Sequence, residues 1–149
     1  MTIARGPRPL SITLFALLFL AAALHSYVIG LQNLDLKQIA YSAIFPWDGW
    51  SRDWTIVALS ALFSIAFIPV IWIYLFASRI AFWLVTVFSV LQVLNVPFLI
   101  SSLLAMGEAL MLRYFLEPAL IAGALFCLWL PTSRAWLRQD GEVDAAEFE

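Results

Sequence analysis

Residues 54–104 read WTIVALSALFSIAFIPVIWIYLFASRIAFWLVTVFSVLQVLNVPFLISSLL, and Arg79 is the single charged residue among them. Divided at Ser78-Arg79, the stretch gives two apolar runs, Trp54–Ala77 and Ile80–Leu104. At about 1.5 Å per residue each is long enough for a hydrocarbon core of roughly 30 Å. So short a connection leaves room only for an antiparallel helical hairpin. Pro69 and Pro97 lie inside the two runs. Pro69 should kink its helix, because it has no N–H for the carbonyl one turn earlier.

Composition extends this reading to the whole chain. Of 149 residues, 64% are hydrophobic and 12% charged, with a mean hydropathy of +0.95. A soluble domain is about half apolar and a quarter charged, so the excess has lipid as its counterpart. Upstream, Leu10–Ile29 forms another span. Its basic start and the Ala21-Ala22-Ala23 triplet raise a signal-peptide reading. The apolar run continues to Ile29, longer than a signal h-region, which favours a retained helix.

Downstream the pattern is less regular. Glu108, Arg113 and Glu117 precede an apolar stretch from Pro118 to Leu130 that is short for a span. Either a helix starts near Glu108 with Arg113 and Glu117 paired at i,i+4, or a surface helix breaks at Glu117-Pro118 before a short span. The second reading is preferred.

The expected fold is therefore an all-α integral membrane protein, with four transmembrane helices in an antiparallel up-down bundle. The spans fall at about 10–29, 54–77, 80–104 and 116–131, within a single domain of residues 1–132. The connections 30–53 and 105–117 lie on the extracytoplasmic side. Asp35 and Gln38 predict a short surface helix running to Ala43. Residues 133–149 carry Asp140, Glu142, Asp144, Glu147 and Glu149, and read as a disordered acidic tail.

Basic residues orient the chain. Arg5, Arg8, Arg79, Arg134 and Arg138 gather on one side, against Lys37, Arg52 and Arg113 on the other. The positive-inside rule then puts both termini in the cytoplasm, in a plasma membrane of bacterial inner-membrane type.

Several function classes are disfavoured. A net charge of -2 does not suit a nucleic-acid partner. One histidine and one cysteine (Cys127) cannot supply an ordinary His/Cys metal set, and no nucleophile elbow, dinucleotide fingerprint or P-loop occurs. No catalytic residue, metal or cofactor is expected. Intramembrane ionisable groups are costly, and so become site candidates. His25, Gln92, Asn95, Arg113 and Glu117 all count to the extracytoplasmic half, where His25, Gln92, Asn95 and Glu117 could converge on a ligand or proton. The competing reading is packing: polar side chains bond between helices, and small residues let backbones approach. Ala22, Ser26 and Gly30 form one such stripe, and Ala119, Gly123 and Cys127 another.

The segment FPWDGWSRDW, residues 45–54, places Trp47, Trp50 and Trp54 on one side of an extended second helix. Asp48 and Arg52 could pair on another side. With Trp129 and Trp136, these tryptophans are expected as anchors in the interfacial belt. Two functions remain. One is a non-catalytic protein that packs against another membrane protein (an accessory subunit, assembly factor or immunity-type protein) or against itself as a homo-oligomer. The other is a small oligomeric transporter or channel that uses the extracytoplasmic polar site.

Overall fold

The computed structural model describes residues 6–44, 49–105 and 112–138. Every regular element among them is a helix: α1 (Leu10–Gln32), α2 (Leu34–Ile44), α3 (Arg52–Phe76), α4 (Arg79–Leu94), α5 (Val96–Ala105), α6 (Leu112–Trp129) and α7 (Pro131–Arg138). Helix α1 packs against both α3 and α6, and α4 packs against the same two. Directions follow from paired contacts. Arg8 meets the last turn of α3 at Tyr74, whereas Tyr27 stacks on Phe63 at 5.2 Å, so α1 and α3 run opposite ways. Ser11 lies 2.9 Å from Thr132, just beyond α6, which opposes α1 and α6 as well.

The hairpin at Ser78-Arg79 is present, and its chemistry is specific. Ala77 adopts a left-handed conformation with φ 47°, and Ser78 N–H donates to Trp72 O at 3.1 Å, closing a Schellman-type end to α3. Ser78 Oγ then accepts from Ala81 N–H at 3.3 Å and caps α4. Helix α3 runs unbroken through Pro69. The third apolar run divides at Asn95 into α4 and α5. Pro97 has no N–H for Val93 and disfavours helical backbone at Val96, and the Asn95 amide donates to Leu91 O at 3.0 Å.

Four expectations need correction. Helix α6 is continuous across Glu117-Pro118 from Leu112, where a break was expected. Pro118 sits early enough in the helix to cost it one backbone bond without ending it. Helix α3 begins at Arg52 and leaves out Trp50, which the extended second helix was expected to include, because Ser51 Oγ accepts from Trp54 N–H at 3.4 Å and supplies the N-cap. Helix α2 follows Asn33, whose carbonyl accepts from Lys37 N–H, so Asp35 lies in its first turn and not at the cap. Residues 133–138 belong to α7, with Ser133, Trp136 and Leu137 buried, instead of starting a disordered tail. Residues 139–149 lie outside the described residues, as do Trp47, Asp48 and Glu108.

The apolar core gathers where α7 folds back. Ile12 and Phe15, Ile73 and Ala77, Ala81 and Val85, and Ala124 and Leu128 surround Trp136, itself 0% exposed. At the opposite end, beside α2, side chains of α4 and α5 are largely exposed. The outward faces of α3 and α4 show Leu62, Ile65, Ile68, Trp83, Val87 and Phe88, an apolar surface unsuited to water. Among the described residues, three helices are long and apolar enough to cross a membrane: α1, α3 and the combined run Arg79–Ser101. A fourth is added if α6 and α7, bent by 57°, form one span.

Candidate functional site

The end of the molecule near α7 is closed by polar groups fitted to the helix termini. Arg79 Nε donates to Leu137 O at 3.2 Å and its NH2 group to Arg138 O at 2.6 Å, so one guanidinium covers the C-terminal carbonyls of α7. Arg8 donates to Tyr74 O at 3.3 Å, with its guanidinium 5.2 Å from the Tyr74 ring centroid, and serves the end of α3 in the same way. Cations at helix C-termini complement the macrodipole. Ser133 Oγ lies 2.7 Å from both Ser11 Oγ and Cys127 O, which gives a carbonyl in the last turn of α6 a shorter partner than the Leu130 N–H at 3.4 Å. Trp129 donates to Thr86 Oγ1 at 3.2 Å and packs on Phe82 and Trp83. These arginines and hydroxyls are used up in structure.

At the other end the helices leave space. His25 and Ile29 of α1, Lys37 of α2, Gln92 and Asn95 of the α4 end, and Tyr114 and Glu117 of α6 line a cavity of about 330 Å³. A neighbouring cavity of about 250 Å³ shares Lys37, Gln92, Glu117 and Ile121, and adds Ser26, Tyr27 and Tyr41 beside Phe19, Leu62, Phe63 and Ala66. The space arises because the buried positions of α4 end at Ser89. Beyond it Gln92 and Asn95 are exposed.

The sequence-derived candidates fare unevenly. His25, Gln92, Asn95 and Glu117 come together on one cavity. The Arg113 side chain lies outside the described residues. Of the small-residue stripes, Ala22 and Gly30 are buried against the helix neighbours, and a Cβ on Gly30 would meet Leu59 Cδ2 at 2.8 Å. Gly123 faces Leu18 at 3.4 Å, but Ala119 is exposed. At about 100° per residue Ala119 points at least 140° away from Ile121, Ala124 and Leu128, the face that α6 buries.

The tryptophans divide too. Trp54 is 46% exposed and Trp129 38% exposed. Trp50 turns inward, donating to Thr55 Oγ1 at 3.1 Å and meeting Tyr41 edge-on at 5.8 Å. Trp136 is no surface anchor: α7 folds back and inserts it into the core.

Sequence reasoning missed Lys37, Tyr41 and Tyr114 as cavity residues. A signal existed. Leu34, Lys37, Gln38 and Tyr41, at i, i+3, i+4 and i+7, form one face of α2, and this mixed face is the half-buried one. Leu36, Ile39 and Ile44 point outward and are 68%, 66% and 65% exposed. In water the polarity would be reversed; beside lipid the apolar face turns out. Burial also pushes the Tyr41 phenol above its usual value of 10.0.

Among the described residues, no group of three or more His, Cys, Asp or Glu side chains could hold a metal ion. The arrangement is that of an all-helical protein with membrane-type helices and one mixed-charge recess. No protein-family model, curated protein or solved structure matches the chain.

Proposed function

We propose that this chain is a four-span, multi-pass protein of a plasma membrane, of bacterial inner-membrane type, that acts by binding rather than by catalysis. In this reading α1, α3, the α4–α5 pair and α6 form an antiparallel up-down bundle with both termini cytoplasmic. The arginines at the α7 end support that orientation. The recess near α2 then opens on the extracytoplasmic side as a ligand site. One observation carries the reading: His25, Lys37, Gln92, Asn95, Tyr114 and Glu117, drawn from four helices, converge on one cavity. Ionisable groups at membrane depth are costly and gather where they serve a function. A channel within one protomer is disfavoured, because the core around Trp136 fills the far end.

Native mass spectrometry of the protein in mild detergent tests this reading. The wild type should retain a small ligand that a Lys37→Gln/Glu117→Gln variant of equal helicity loses. Identical spectra from the two proteins would remove the basis for a site here.

A second reading has its own support. Gln92 and Asn95 are exposed on an arm whose other exposed residues include Leu91, Leu94 and Phe98. An exposed arm that mixes amides with large apolar side chains suits a partner helix, from another membrane protein or a second copy. Gentle purification with crosslinking should then recover a complex. Recovery of monomer alone would count against this reading.

A further inference from the structure

The polar recess does not end at its own floor. The cavity of about 250 Å³ shares Phe19, Leu62 and Ala66 with a third space of about 350 Å³ between α3 and α4. Every side chain lining that third space is apolar, from Leu62 and Ile65 through Pro69 to Trp72, faced by Leu84 and Phe88. From Leu62 to Trp72 the groove extends about 15 Å along the helix axis. It adjoins the exposed apolar faces of both helices, so it is open towards lipid. Above it, Lys37 and Glu117 line both polar cavities and make no ion pair with each other among the described residues.

A site with a cation and a carboxylate at its mouth, continued by a hydrocarbon groove, matches an amphiphile whose head bears both signs. We infer that the recess holds a bilayer glycerophospholipid with a phosphoethanolamine head. Its phosphate faces Lys37 and its ammonium faces Glu117, while one acyl chain lies in the α3–α4 groove. Gln92 and Asn95 supply neutral hydrogen-bonding groups to the head. A purely polar ligand would leave the groove unused, and a simple hydrocarbon would strand Lys37 and Glu117 without partners.

The inference rests on the recess being a binding site, and the test separates the two ideas. The full chain in mild detergent is titrated with palmitoyl lysophosphatidylethanolamine, palmitoyl lysophosphatidylglycerol and tail-less O-phosphoethanolamine, with native mass spectrometry as readout. The ethanolamine lysolipid should bind about tenfold more tightly than either other probe. Glu117→Gln should abolish the preference for ethanolamine over glycerol. Leu84→Trp, at a residue that lines the apolar groove and neither polar cavity, should weaken both lysolipids and leave O-phosphoethanolamine unchanged. Ile65→Trp, also confined to the groove, serves the same purpose should Leu84→Trp fail to fold.

Equal binding of the two lysolipids, or lysolipid binding that survives both groove variants, overturns the proposal. If O-phosphoethanolamine alone binds, and Lys37→Gln removes it, the polar site stands and the lipid is wrong. If no probe responds to Lys37→Gln or Glu117→Gln, the site itself falls.

Discussion

The α7 end and the α2 end are made from the same four long helices, yet one is packed shut and the other parts around a recess. Connection length accounts for much of the contrast. At the closed end α3 passes to α4 through Ala77 and Ser78, and α6 to α7 through Leu130. Such short links hold helix ends together, and the spare carbonyls are met by Arg8, Arg79 and Ser133. At the open end α1 reaches α3 only by way of α2, and α4 is interrupted at Asn95. Helices whose ends are not clamped can diverge, and polar side chains then occupy the gap. Tight packing and a binding recess are thus alternative uses of the same helix pairs.

If the closed end carries the stability, Trp136→Ala should show the largest effect. Loss of a fully buried indole costs about 3–5 kcal/mol, measured by denaturant or thermal unfolding in micelles. Trp136→Phe should cost much less, since the indole Nε1–H has no hydrogen-bond partner among the described residues. An unchanged midpoint for Trp136→Ala would mean that the closed end does not hold the molecule together. Ser133→Ala follows in size. It strips Cys127 O of its nearest hydroxyl inside a buried site, for about 1–3 kcal/mol in the same assay.

Gly30→Val probes a close approach of α1 and α3 near the open end. Its added carbons meet Leu59, so overpacking of about 1–3 kcal/mol is expected, visible as a lowered melting midpoint. Gln92→Leu, on the exposed side of the recess, should change stability by no more than about 0.5 kcal/mol. A larger loss would mean that the recess is a packed polar core and not an opening.

The smallest effect concerns pH. Burial raises the Tyr41 phenol above its unfolded value of 10.0, so the folded state holds its proton longer. The contribution is complete below pH 10 and is lost as pH rises through the folded-state value. The protection of α2 amides, taken relative to the base-catalysed exchange of an open chain, should therefore fall only above pH 10, together with the rise of tyrosinate absorbance, and Tyr41→Phe should remove that fall.

The apolar runs were legible because helix length and hydropathy are local properties. So was the hairpin, since a two-residue link permits few geometries. The gathering of His25, Gln92, Asn95 and Glu117 was legible from depth alone: residues counted to the same level of a set of crossing helices end near one another. Lys37 was hidden because it belongs to a short helix whose docking face is not its apolar face. Trp136 was misread because an aromatic residue beside arginines has the same local pattern at a membrane interface as in a helix folded back on the core.

Chain composition and spacing were enough to specify helices of membrane length and the tight hairpin at Ser78-Arg79, since both depend on near neighbours in sequence. The fold-back of α7 and the recess between α1, α2, the α4 end and α6 depend on which helix faces meet. Those choices are set by packing between residues far apart in the chain, such as Trp136 against Ile12 and Phe15, and no local pattern encodes them.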